Sequence, residues 1–272
     1  MNISLRWKIL ILTMFAPLLL GLATLATVHR NVQQHVDSTS IHENLEHSAR
    51  VFESMLAARS QVLNGGARVI SQDPRFFSLL TLEASQRDSL FDSSVRGLAR
   101  DFNHIARTDL FEIVNREGRL LTSVGAMHSR RQARAGLVLA ALRGQQVDGV
   151  LAQGHDHVQV TVMPVRVDGR IFGVLLLGAK IGDQLAEALR SEMRSEVTFV
   201  ADGTVTGTTL ADSLDRTALL HRLAALALGP ATDFSTLRAL EVRGHTRTYL
   251  TLVRRIPDSD PSALHLYVIQ RS

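Results

Sequence analysis

The chain carries one series of strands and helices twice, and that repetition limits the fold more than any other feature. In the first copy, Leu110 to Asn115 and Arg119 to Val124 flank the polar Arg116-Glu117-Gly118, which predicts a strand, a glycine-containing turn and a strand. A helix is predicted from about Arg131 to Arg143. Three strands follow, Val150 to Gln153, His157 to Arg166 and Arg170 to Ala179, separated by turns at Gly154-His155-Asp156 and Asp168-Gly169. In the second copy, Glu196 to Ala201 and Thr204 to Leu210 flank Asp202-Gly203, and a helix is predicted over Asp215 to Leu228. Ala239 to Arg243, Thr246 to Arg254 and Leu264 to Gln270 supply three more strands. Gly154-His155 and Gly244-His245 occupy matching turns. A pattern that recurs in register outweighs either copy alone. The predicted class is therefore α+β, with two consecutive units, each a five-stranded antiparallel sheet flanked by helices.

Ahead of the units lies a different kind of segment. No charged side chain occurs from Ile9 to Val28, and about twenty helical residues match a hydrocarbon core of about 30 Å. Arg6, Lys8 and the amino terminus flank its inner end, which predicts a single transmembrane helix with the following chain exported. The alternative is a cleaved secretory signal, for which Thr24-Leu25-Ala26 offers a small-residue site, but the apolar core of such signals is only about 7–15 residues. Beyond it, Val32, Val36, Leu45, Ala49, Phe52, Leu56 and Leu63 recur at mostly helical spacing and predict a stalk helix that ends at Gly65-Gly66. Helical periodicity resumes from Val69 to Arg107, broken near Asp73-Pro74, and Leu90, Phe91, Val95, Leu98, Phe102 and Ile105 should pack against the stalk. The expected organisation is a cytoplasmic tail (1–8), a membrane anchor (9–28), a stalk (29–66), a membrane-distal unit (67–181) and a membrane-proximal unit (182–272). The stalk near the membrane, with Val32, Val36, Ile41 and Leu45 expected on one exposed side, suits pairing with a second copy.

The exported part of about 240 residues is long enough to bury two cores. Without cysteine there is no disulfide, thiolate metal site or cysteine nucleophile. A net charge of +4 does not point to nucleic acid: Lys8 and Lys180 are the only lysines, and the arginines are scattered among acids without a basic, aromatic-interleaved stripe.

A signal-anchor helix, a long stalk and two PAS-like units resemble the double Cache sensory domain of bacterial membrane receptors, in particular the double sensory domain placed before histidine kinase or diguanylate cyclase modules. The resemblance covers roughly Asn31 to Ser272, with Ala49 to Arg59, Leu110 to Ser123 and Val160 to Asp183 the most family-like segments. It implies a ligand-holding distal unit, a relaying proximal unit, a periplasmic location for residues 29–272 on the bacterial inner membrane, and dimeric action. The output module such receptors carry beyond a second membrane helix is not in this sequence, which ends just after the last predicted strand. Amino-acid-binding members carry a tyrosine, arginine and tryptophan cluster in the distal unit. Here the only tryptophan is Trp7, and Tyr249 and Tyr267 lie in the proximal unit, so the small-molecule ligand stays unidentified.

Candidate chemistry is sparse. No G-x-S-x-G, H-E-x-x-H, P-loop or dinucleotide fingerprint occurs, and no catalytic residue, metal site or cofactor is expected. His155-Asp156-His157 places two imidazoles at metal-ligand spacing, but the second copy has Thr246-Arg247 after Gly244-His245, which favours a plain polar turn. On the strand His157 to Arg166, Val158, Val160 and Val162 share one face, while His157, Gln159, Thr161 and Met163 share the other. The polar face is expected to line a ligand cavity or to form surface at the sheet rim. Arg130, Arg131 and Arg134, on the loop and helix expected over that sheet, would bind a carboxylate or else form a solvated basic helix start. The functional expectation is an extracytoplasmic ligand-sensing region without enzymatic activity. The alternative is a constitutive periplasmic scaffold or partner-binding module.

The charge flanks give a direct test. A reporter enzyme active only in the periplasm, fused after Ser272, is expected to be active; an inactive periplasmic fusion with an active cytoplasmic one would reverse the topology.

Overall fold

The stripe of apolar residues along the stalk continues past its expected end and becomes the spine of the fold. The structure, a computed structural model, describes residues 41–81, 91–127, 131–153, 155–229, 231–235, 237, 239–260 and 263–272. The apolar run 9–28 and the stalk up to residue 40 lie outside them. Among the described residues no helix is long and apolar enough to cross a membrane.

Helix α1 spans residues 41–71. Leu45, Ala49, Phe52, Leu56, Leu63, Ala67 and Ile70 repeat three, four or seven apart and all are buried, whereas Val62 and Val69, off that stripe, are exposed. Gly65-Gly66 does not end the helix: Gly66 passes Leu177 of the first sheet, and helical pairing continues to residue 71. The break comes at Asp73, whose carboxylate accepts the Arg75 N–H at 2.8 Å, with Pro74 at the first helical position of α2 (Pro74–Thr81), where no N–H donor is needed. Leu45, expected to be exposed for self-association, is fully buried, and beside it Glu46 accepts from Arg254 of the second sheet at 2.5 Å.

After α3 (Phe91–Ala106) come β1 (Leu110–Asn115), β2 (Leu120–Val124), α4 (Arg131–Leu142), β3 (Val147–Gln153), β4 (Asp156–Val167) and β5 (Arg170–Lys180). The second series is α5 (Asp183–Met193), β6 (Glu196–Ala201), β7 (Thr204–Thr208), α6 (Ser213–Ala225), β8 (Leu240–Arg243), β9 (Thr248–Arg255) and β10 (His265–Arg271). The sheets are both antiparallel and have the same order, β2-β1-β5-β4-β3 and β7-β6-β10-β9-β8, as the repeated sequence pattern requires. Asp168-Gly169 and Asp202-Gly203 turn the hairpins with positive φ at both positions (47° and 78°, 47° and 79°), a turn whose twist suits paired strands. Helix α6 starts two residues before its expected start, because Asp212 caps it by accepting the Leu214 N–H at 2.8 Å.

Residues 45–272 form one compact unit. The first sheet is covered on one face by α1, α2 and α3, where Leu63, Phe76, Phe102, Phe111, Leu175 and Leu177 pack together, and on the other by α4, over Leu110, Val114, Val160 and Leu176. The second sheet meets α1 through Phe52, whose ring lies 4.3 Å from Tyr267 and 5.6 Å from Phe199. Its other face, with Val200, Val253, Leu266 and Val268, is covered by α6 and the chain that follows.

Backbone approaches backbone closely between Gly207 of β7 and the start of α5, where an added Cβ would lie 2.4 Å from the Gly182 carbonyl carbon. Gly207→Ala is expected to destabilise the protein by roughly 2 kcal/mol or more. Gly65→Ala, which meets nothing within 4 Å in mid-helix, should stabilise by up to about 1 kcal/mol. Urea midpoints of the two variants moving in the same direction would contradict this packing.

Candidate ligand-binding site

Strand β4 alternates as its sequence predicts, and the alternation divides the candidate residues. Val158, Val160 and Val162 enter the apolar layer beneath α4. His157, Gln159 and Thr161 are buried on the opposite face, where α1 lies. Arg134 projects from α4 and pairs with Glu112 of β1; both side chains are almost wholly buried, and Ser123 donates to the second Glu112 oxygen at 3.2 Å. Glu112 alternates with Leu110 and Val114, so this ion pair lies on the α4 face. The sheet therefore separates Arg134 from the three polar β4 residues, and the expected common site does not form. Arg131 is the first residue of α4, and Arg130 lies outside the described residues.

The polar strip on β4 holds α1 and the second unit in place. Gln159 donates to the Leu56 carbonyl of α1 at 2.8 Å, and Thr161 donates to Asp148 at 2.7 Å. The other Asp148 oxygen accepts from Asn64 of α1 at 3.0 Å, and Asn64 accepts from Gln146 at 2.7 Å. His157 crosses to the second unit: Nδ1 meets the Thr206 hydroxyl and Nε2 meets Nδ1 of His265, each at 3.1 Å. The two imidazole rings stack at 5.1 Å. In the His155-Asp156-His157 turn, Asp156 lies 3.6 Å from the Lys180 ammonium while the His157 ring is taken up by Thr206 and His265. Among the described residues no group of three or more histidines or acids is placed to hold a metal ion.

Sequence reasoning missed Glu112, Thr206 and His265. Glu112 had a signal, a lone acid inside the otherwise apolar Leu110–Val114 strand. Nothing marked His265 or Thr206, which belong to the junction only because the two units meet there.

Burial dominates the electrostatics of the histidine pair. It pushes His157 down to about 3, helped by the positive charge its neighbour His265 would carry. His265 is lowered by the same burial and by Arg255, against the pull of Asp202 and Asp260. Both rings are thus neutral near neutrality, one nitrogen donating and one accepting.

A cavity of about 600 Å³ opens in the second unit, lined by Val200, Leu220, His221, Leu223, Leu264 and Leu266 among others. Around it, α6 approaches its sheet mainly along the edge strand β8, whereas α4 lies across β3, β4 and β5 of the first sheet. The volume is in the range of small-molecule sites.

Two antiparallel sheets in the order 2-1-5-4-3, both packed on one long helix, make a tandem α+β fold. The sequence profile of the family described as the double sensory domain of two-component sensor kinase matches residues 38–254, and the chain belongs to that family. No curated protein matches the chain. The sensor domain of the Vibrio cholerae histidine kinase DctB superposes with a TM-score of 0.55 at 15% identity, covering 85% of this chain and 97% of that one. The periplasmic domain of Vibrio cholerae LuxQ gives 0.53 at 14% identity over 83% and 99% of the two chains. The ligand-binding domain of the Campylobacter jejuni chemoreceptor Tlp3, in complex with 4-methylisoleucine, gives 0.52 at 13% identity over 85% and 88%. At these identities the likeness is one of fold.

The neutral histidine pair predicts acid sensitivity. In the unfolded chain histidine takes up its proton near 6.5, while His157 resists until about 3. Between these values the unfolded state binds more protons, so stability is complete above about pH 6.5 and falls with falling pH, by up to about 1.4 kcal/mol per pH unit for each such histidine. Urea unfolding of His157→Gln should show a shallower loss between pH 7 and 5 than the parent; an equal slope would remove the histidine pair as its source.

Proposed function

We propose that this chain is the extracytoplasmic ligand-sensing region of a bacterial transmembrane receptor of the sensor kinase or diguanylate cyclase type, and that it has no enzymatic activity of its own. The observation that supports this reading most is the attachment of both sheets to α1: Gln159 and Asp148 of the first and Arg254 and Tyr267 of the second all bond to that helix. A ligand that favours one arrangement of a sheet against α1 would bias the position or rotation of the helix. The uncharged run 9–28 would anchor the helix as a single inner-membrane span, with residues 29–272 in the periplasm. Two copies would associate along the stalk, using Val32, Val36 and Ile41 but not the buried Leu45. The family match and the likeness to periplasmic sensor domains support the same reading.

A broad metabolite screen by thermal unfolding tests it. A true ligand at a hundredfold excess over its Kd is expected to add about 2.7 kcal/mol of stability. No shift with any compound would leave a ligand-free scaffold, and steady turnover in esterase, phosphatase or peptidase assays would overturn the non-catalytic assignment.

A further inference from the structure

Where the two units meet, α1, the end of β5 and the start of α5 border an open polar cavity of about 450 Å³. Arg59, Asp109, Lys180, Asp183, Gln184 and Thr206 line it. The charges in its wall are not matched to one another. Asp109 accepts the Lys180 N–H at 2.7 Å, and Asp183 accepts the Thr208 N–H at 2.9 Å, so each acid is held back by a backbone donor. The Lys180 ammonium lies 3.6 Å from Asp156. Arg59 reaches across from α1, and its Nη2 donates to the Lys180 carbonyl at 3.0 Å. Its Nη1 is buried with no hydrogen-bond partner among the described residues. Burial depresses the Arg59 guanidinium, and Asp109 opposes that only in part. A buried guanidinium nitrogen without an acceptor is costly, and an oxygen anion is the group that relieves it.

A second source of positive potential lies beside the same space. Helix α5 begins at the cavity with Gly182 as its N-cap, and no side chain accepts from its first turn. The residues of that turn, Asp183, Gln184 and Leu185, line the cavity. Unmatched N–H groups at a helix start favour an anion. The aspartates in the wall set the charge of the occupant: they leave the cavity close to neutral and would repel a dianion. Leu185 offers a small apolar surface beside them.

We propose that this junction cavity binds a small monocarboxylate, its oxygens shared between Arg59 Nη1 and the start of α5. This inference rests on the sensing role and gives it a place and a ligand class. The ligand would touch α1 on one side and α5, the first element of the second unit, on the other. Its binding would therefore favour one arrangement of the two units over others. Thr206, which lines the cavity, also carries the bond to His157, so the occupied cavity and the histidine pair belong to one polar layer.

The test uses the full chain in detergent, with sodium acetate, propionate and lactate as probes and sodium chloride and sodium sulfate at matched ionic strength as controls. At least one monocarboxylate is expected to raise Tm by roughly 5–10 °C at a hundredfold excess over its Kd, and chloride and sulfate are not. Arg59→Gln should weaken that binding at least tenfold. Gln184→Glu should do the same while folding normally, because a carboxylate in the exposed first turn suits the helix dipole and occupies the anion's place. No rise with any of the three acids, an equal rise with chloride or sulfate, or a rise that survives in Gln184→Glu would overturn the proposal. If a compound from the broad screen stabilises the parent and both variants alike, the sensing role stands and the junction site is wrong.

Discussion

The whole arrangement depends on one helical stripe being shared by two cores. Leu63, Ala67 and Ile70 of α1 lie in the core of the first sheet, and Phe52 packs on Phe199 and Tyr267 of the second. Each fully buried Leu or Phe contributes about 1.5–3 kcal/mol relative to exposure. Neither sheet can leave α1 without exposing part of that stripe. The helix is thus a structural member of both units, and a change in how one sheet sits on it is a change in the helix that the other sheet also holds.

Apolar packing alone would leave the helix free to slide or rotate by small amounts. The polar bonds remove that freedom. Asn64 to Asp148, Gln159 to the Leu56 carbonyl and Tyr267 to Glu53 fix α1 at three heights, each with a directional bond that a shift of one residue would break. Buried ion pairs such as Arg134–Glu112 add little net stability, but the loss of one partner costs about 3–5 kcal/mol, so they specify where α4 lies on the sheet more than they hold it there.

The sequence carried the elements of the fold and much less of their assembly. Strand alternation and Asp-Gly turns are local, and Asp168-Gly169 and Asp202-Gly203 mark their hairpins without reference to anything distant. The alternation of β4 also identified correctly which residues share a face. It could not say what covers that face, and the strip His157-Gln159-Thr161, read as a cavity wall or as surface at the sheet rim, is where α1 and the second unit dock. The same limit explains Leu45: a helical stripe shows that a side will be buried, while the partner that buries it is set by tertiary packing. Gly65-Gly66 misled because glycine marks a helix end only when nothing on either side supports the helix, and here Leu63, Ala67 and Ile70 are all anchored. The histidine pair had no sequence signal, since its members lie 108 residues apart and meet only through the junction.

The loop between β9 and β10 has one more contact. Ser259 forms a parallel bridge with Val150 of β3, the outermost strand of the first sheet. An unpaired outer strand presents free N–H and C=O groups and is a template for pairing with another molecule. Here part of that rim is occupied by a segment of the same chain from the second unit, which shields the first from intermolecular association. The tandem arrangement thereby also favours solubility, and cutting the chain between the units would leave the rim of the first sheet uncovered.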